Sequence, residues 1–168
     1  HVALEESSEL GVTTDGNVDY FHLNSVSVDR DGHLLVSARH TSAVYKLSRR
    51  TGQVIWRLGG TRSDFGLGPG VAFGYQHDAQ RRADGTLTLF DNAASRPNQA
   101  EPHSRAVRLG LDTRAMTARL VRDYQAADPR TAWAMGNMQQ LPGGDVFVGW
   151  GMHPSCTQIG PDGRVELD

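Results

Sequence analysis

The stretch YFHLNSVSVDRDGHLLVSARH, Tyr20 to His40, reads as a β-hairpin. Val26 and Val28 alternate with polar residues, Asp29-Arg30-Asp31-Gly32 supplies a turn, and Leu34-Leu35-Val36 carries the chain back. One end of the hairpin is unlike an ordinary strand end, because His22, Asn24, Arg39 and His40 gather there. The question is which architecture brings such residues together.

The same grammar recurs twice more. After the first copy, His22 to Gly60, YQHDAQRRADG, TLTLFDNA, SRAVRLGLDTRA and MTARLVRDY form a second. GNMQQLPGG, DVFVGWGM, SCTQIGPDG and RVELD form a third. Each copy offers four short strands, and the marker glycines Gly32, Gly85 and Gly144 lie about 50 to 60 residues apart, near the period of kelch-like blades. The reading is therefore all-β: a β-propeller with about three four-stranded blades present of a six-bladed ring. A β-sandwich would not repeat a four-strand unit in this way. Residues 1–19 read as an N-terminal segment that could belong to a preceding blade, 20–74 as blade one plus linker, 75–135 as blade two plus linker, and 136–168 as a partial third blade. Three blades do not close a ring, so the expected partners include the remaining blades of a longer chain or a self-associating copy, which would cover strand edges that otherwise aggregate. Residues 126–135 could hold one short helical turn.

Composition narrows the function. The chain has 168 residues, 38% hydrophobic and 21% charged, enough for a sizeable core. Seventeen basic residues against 19 acidic ones, without runs of either sign, leave no electrostatic footprint for nucleic acid. No apolar stretch approaches the ~20 residues of a transmembrane helix. The single cysteine, Cys156, allows no internal disulfide.

Propeller topology puts the start of each innermost strand and the end of the second strand on one face. Copy one contributes His22, Asn24, Arg39 and His40 there; copy two, Gln76, His77, Asp78, Asp91 and Asn92; copy three, Asn137, Gln139, Trp150 and His153. The opposite hairpin ends, DRDG, ADG and PGG, are plain turn chemistry. A lone His or Asn beside a turn is ordinarily a satisfied loop residue, and only the agreement among copies singles this face out. Asp29-x-Asp31-Gly32 lacks the continuation of a calcium loop, and the histidines come with Asn and Arg rather than with thiolates, so no metal is expected. A neutral imidazole is a nucleophile, an arginine fork suits a tetrahedral oxyanion, and a second imidazole can protonate a leaving oxygen. Together these point to transfer of a phosphoryl or sulfuryl group. No P-loop and no GxSxG elbow accompany them.

The segment from Tyr20 to Gly60, followed by FGYQHDAQRRADGTLTLFDNA, resembles the arylsulfotransferase family, particularly its actinobacterial and fungal branch. The likeness runs from about Asp19 to Gly151 and is carried by HLNSV, SARH, WRLGG and QHD in that order. It implies a six-bladed propeller that moves sulfate from an aryl sulfate ester to a phenolic acceptor. It also implies a ping-pong route through a sulfohistidine, without cofactor or nucleotide donor. By resemblance His77 takes the sulfuryl group, His22 and Asn24 hold sulfate and assist the leaving phenol, and Arg39 neutralises sulfate oxygens. His40, Asp78, Asn92, Gln139 and Trp150 are expected to bind substrate, with Tyr20, Phe21 and Tyr75 as further candidate walls of an aryl pocket. Asp78 and Asp91 could orient imidazoles. The family's full site uses a further histidine from an earlier blade, and its members are expected to be secreted, periplasmic or at the cell surface. Two other readings stand beside this one. TGQVIW, Thr51 to Trp56, resembles the tryptophan-docking repeat of quinoproteins but does not recur in later copies. A propeller that only binds a partner through its polar face is the other, since fold does not dictate chemistry.

Overall fold

The computed structural model describes residues 1–8, 11–12, 16–94 and 102–168, so parts of the segment 1–19 and of the blade-two region 75–135 lie outside the described residues. A 3₁₀ turn at Leu4–Glu6 precedes a small antiparallel pair, β1 (Gly11–Val12) and β2 (Val18–Asp19). Three antiparallel meanders follow. The first contains β3 (Leu23–Val28), β4 (Leu34–Ala38), β5 (Ala43–Leu47) and β6 (Val54–Gly59). A short strand, β7 (Gly66–Leu67), leads to the second, β8 (His77–Arg81), β9 (Leu87–Asp91), β10 (Arg105–Asp112) and β11 (Thr117–Tyr124), and joins its outer edge parallel to β11. The third, expected as a partial blade, has four strands: β12 (Asn137–Gln140), β13 (Val146–Gly149), β14 (Cys156–Ile159) and β15 (Val165–Leu167). The protein is an all-β arc of three propeller blades. Residues 126–135 form no helix and run as bends and extended chain. Among the described residues no helix is long and apolar enough to cross a membrane.

The blades stack because successive residues of a strand point to opposite faces. On β4, Leu35 packs toward blade two with Val44, Leu58, Val71, Leu87, Leu89 and Leu109, while Val36 faces the other way with Ala38, Ala43 and Tyr45. The second seam, between blades two and three, buries Phe90, Ala106, Met138, Val148, Trp150 and Ile159. Each large apolar side chain so buried contributes about 1.5–3 kcal/mol. On the first blade's far side Val26 and Val28 remain 53% and 59% exposed.

Innermost strands β3 and β8 lie side by side along the channel and are sewn together by polar contacts. Ser27 Oγ donates to Ala79 O at 2.8 Å, Ser25 Oγ accepts from Ala79 N at 3.2 Å, and Asn24 Nδ2 donates to Gln76 O at 2.7 Å. At the hairpin end the turn Asp29–Gly32 does more than reverse the chain. Asp29 is buried, receives Lys46 Nζ at 2.8 Å and, from blade two, Arg81 Nε at 3.0 Å, while Asp31 receives Lys46 at 2.6 Å. Burial opposes ionisation of Asp29, but the hydrogen bonds from Arg81 and Lys46 prevail and hold its carboxyl at about 2.

Asp29→Ala should therefore destabilise the protein by about 3–5 kcal/mol at neutral pH, because Arg81 would stay buried without an anion and Lys46 would keep only the more exposed Asp31. A carboxyl depressed from 3.8 to about 2 stabilises fully above its unfolded value and loses that contribution as pH falls through its folded one. Urea midpoints of wild type and variant should accordingly converge as pH drops from about 4 to about 2; a gap that stays constant would contradict the assignment.

Candidate active site

The polar residues of blades one and two meet at one end of the channel. His22 precedes β3, Arg39 and His40 follow β4, His77 opens β8 and Asn92 follows β9. His22 takes a positive φ of 50° and is turned back onto Asp19, which accepts its backbone N–H at 3.0 Å and pairs with its Nδ1. Burial resists ionisation of Asp19, but its contacts with His22 outweigh this and hold the carboxyl below its ordinary range. The carboxylate thus fixes the His22 tautomer with the proton on Nδ1, leaving Nε2 for chemistry. Asp19 was not among the sequence candidates; its only signal was an acid three residues before the histidine.

Arg39 is held from three sides. Its guanidinium lies 3.8 Å from the centroid of the buried Tyr75 ring, NH1 donates to His40 Nε2 at 2.8 Å, and NH2 donates to Trp133 O at 3.3 Å. His40 in turn gives its Nδ1 proton to Asp19 O at 2.5 Å. Both nitrogens of this buried ring, expected to bind substrate, are committed to Arg39 and Asp19, so His40 holds the guanidinium in place. The His22 and His40 rings sit 4.6 Å apart.

His77 Nδ1 lies 2.8 Å from Asn92 Oδ1 and 3.0 Å from Tyr75 O, both acceptors, so it carries the proton and Nε2 carries the lone pair. Burial drives His77 below the ordinary histidine range, against the pull of the Asn92 bond, and the positive charges of Arg39 and His22 push the same way. The imidazole is therefore neutral at pH 7. Asn92 is fully buried and sends Nδ2 to Ala132 O at 2.7 Å and Met135 O at 2.9 Å. Asn92, expected to bind substrate, thus spends its amide on orienting the imidazole and tying down these two carbonyls.

Several expectations are corrected by these contacts. Neither Asp78 nor Asp91 touches an imidazole. Asp78 Oδ2 accepts Met138 N at 3.0 Å and anchors blade three. Asp91 is fully buried, raised by burial to about 6, and accepts Gly74 N, Ala93 N and Arg105 Nε at 2.9, 2.9 and 3.2 Å. Arg105, whose place was open from sequence, also binds Gly70 O and Ala72 O and so braces the loop leading to Tyr75. Trp150 walls no pocket: it is 0% exposed, meets Phe90 edge-on and donates Nε1–H to Thr157 Oγ1. Phe21 packs on Tyr45 on the first blade's far side, and Tyr20 lies beside Phe21. Gln139 is exposed on β12, and no hydrogen bond ties it to the imidazole cluster; His153 Nε2 donates to Thr131 O at 3.0 Å instead. Asn24 keeps an amide at the channel, with Oδ1 buried and unpartnered.

Asp19, His22 and His40 place three potential metal-ligand atoms within 4.8 Å of one another. They fit a cation poorly, because the Nδ1 protons are already donated and the Arg39 guanidinium stands against His40. The set fits an oxyanion instead: a fixed guanidinium, one neutral nucleophilic imidazole and one carboxylate-paired imidazole.

Fold and site together define a β-propeller with a cluster of His, Arg and Asn side chains at one end of its channel. Residues 2–168 match the arylsulfotransferase (ASST) family, and the chain belongs to it. None of the curated proteins matches. Among solved structures it is similar to a protein of unknown function from Bacteroides caccae (17% identity, TM-score 0.58), covering 94% of this chain and 57% of that one. Virginiamycin B lyase from Staphylococcus aureus (10%, 0.53; 93% and 46% covered) has a similar fold. So does the PQQ-bound aldose sugar dehydrogenase of Streptomyces coelicolor (15%, 0.51; 94% and 47% covered). At these identities the likeness establishes fold alone, and the chain spans about half the length of each.

With a lowered value in the folded state, His77 binds its proton later than the unfolded chain does as pH falls, so the folded state is penalised below about 6.5. An NMR titration should place the His77 midpoint below that value. In His77→Gln, the part of the acid-side stability loss due to this group should vanish. A midpoint at or above about 6.5 would refute the burial effect.

Proposed function

We propose that this chain carries the sulfuryl-transfer site of an arylsulfate sulfotransferase, moving sulfate from an aryl ester to a phenol through a sulfohistidine. The observation that carries the reading is the His77 tautomer: two acceptors on Nδ1 leave the lone pair on Nε2 of a half-buried ring whose charged form is disfavoured. In the first half-reaction, with His22 protonated on both nitrogens, Nε2 of His77 attacks sulfur, the N–S bond forms as the S–O(aryl) bond breaks, and the leaving oxygen takes the His22 Nε2 proton. Positive charge developing on the His77 ring is met by Asn92 Oδ1 and Tyr75 O, and charge on the sulfuryl oxygens by Arg39. In the second half, His22 takes the proton of an acceptor phenol, whose oxygen attacks sulfur and restores neutral His77. The Asp19 carboxylate stabilises the His22 imidazolium in each direction. The remaining blades of a six-bladed ring would complete the site.

Incubation of the intact protein with 4-nitrophenyl sulfate should release nitrophenolate in proportion to added phenol and leave a sulfuryl-sized mass gain on the His77 peptide. His77→Ala should abolish both. Failure of a folded protein to form the adduct would move the assignment to a binding propeller.

His22→Ala should slow turnover by ~10²–10⁴-fold with phenyl sulfate and by less with 4-nitrophenyl sulfate, whose leaving group needs less protonation. Equal losses on the two donors would remove His22 from the acid role.

A further inference from the structure

The nitrogen that would attack sulfur is occupied. Met135 N–H donates to His77 Nε2 at 3.2 Å, on the only ring nitrogen with a lone pair. Sulfur cannot approach Nε2 in line while that amide stands there. Two residues upstream, Trp133 O accepts from Arg39 NH2 at 3.3 Å. One short segment, 132–136, thus covers both the nucleophile and the anion-binding guanidinium.

The segment is fixed at its ends and lightly held between them. Ala132 N–H donates to Ser104 Oγ at 2.7 Å, and Asn92 Nδ2 grips the carbonyls of Ala132 and Met135. Behind it, Gly151 fits tightly: a Cβ there would stand 2.3 Å from Ala134 O and 3.0 Å from Gly136 N. Met135 holds φ at 61°, a conformation that side chains other than glycine rarely adopt. Trp133 and Met135 are 50% and 55% exposed, so neither side chain is sunk in a core.

We propose that residues 132–136 form a donor-released latch, which caps His77 Nε2 and holds Arg39 at rest and opens when an anionic sulfate ester takes the guanidinium. The nature of the anion rests on the sulfuryl-transfer reading above. A sulfate ester offers the guanidinium a full opposite charge and paired oxygens that match its fork, whereas Trp133 O offers one neutral acceptor, so sulfate wins Arg39 from Trp133. With the Arg39 bond to Trp133 O broken, the strained Met135 turn pivots on the Asn92 bonds, and its amide leaves the lone pair. Nucleophile unmasking is thereby coupled to donor binding, and the empty site presents a capped imidazole.

Amide hydrogen exchange on the intact protein tests this without a substitution. Saturating inorganic sulfate, against chloride at equal ionic strength, should speed exchange of the Met135 amide about fivefold, the weight of one net hydrogen bond. Exchange that sulfate leaves unchanged or slows would overturn the latch. As a second measurement, Gly151→Ala should drive the segment outward and raise the rate of His77 carbethoxylation by diethyl pyrocarbonate about fivefold, with buried His40 unaffected. Equal rates in variant and wild type would also overturn it; if the variant unfolds, all histidines accelerate together and the sulfate experiment decides. The transfer reading fails on a different readout, absence of a sulfuryl adduct on His77, while the sulfate-dependent exchange persists.

Discussion

Leu35 and Val36 are neighbours on β4, point to opposite faces of the first blade, and are both buried. That pair of facts contains the constraint on which the rest depends: the first blade's sheet is apolar on both faces at β4, so one face must be covered by the next blade. Stacking is the solution, and stacking around a channel leaves the innermost strands β3 and β8 close enough for side chains of one blade to bond the backbone of the next. The site exists because of this proximity. His22 and Arg39 come from blade one, His77 and Asn92 from blade two, and the segment covering them leads into blade three.

Charge is used differently at the two ends of the channel. At the turn end Asp29, Lys46 and Arg81 satisfy one another, and burial makes that mutual satisfaction obligatory. At the other end the charges are arranged so that one imidazole is neutral and another sits beside an anion. Asn92, an uncharged acceptor, sets the first; Asp19 sets the second. An aspartate in place of Asn92 would favour the protonated ring and remove the Nε2 lone pair, so the amide is as consequential as the histidine it holds. The left-handed backbone at His22, Tyr75 and Met135 clusters around the same point, as strain does where a site rather than a core dictates conformation.

Much of this was legible beforehand. Alternating apolar residues and the recurring turns at Gly32, Gly85 and Gly144 specify strands and their grouping, since pleat periodicity and turn chemistry are local properties. The convergence of His22, Arg39 and His77 followed from topology alone. What failed was the division of labour among the polar residues near them. Trp150, His40 and Asn92 look alike as candidates in a linear string, yet burial makes them core, support for Arg39 and support for His77 respectively.

Sequence by itself thus determined the all-β repeat, the side of the blades where the polar residues gather, and the residue types available there. Only the tertiary structure decided which nitrogen of each imidazole is free, which carboxylate is a partner, and that the Met135 amide lies against His77 Nε2. The physical reason is range: strand and turn preferences act over a few residues, whereas tautomer, charge state and access are set by atoms that folding brings from as far as 94 residues along the chain.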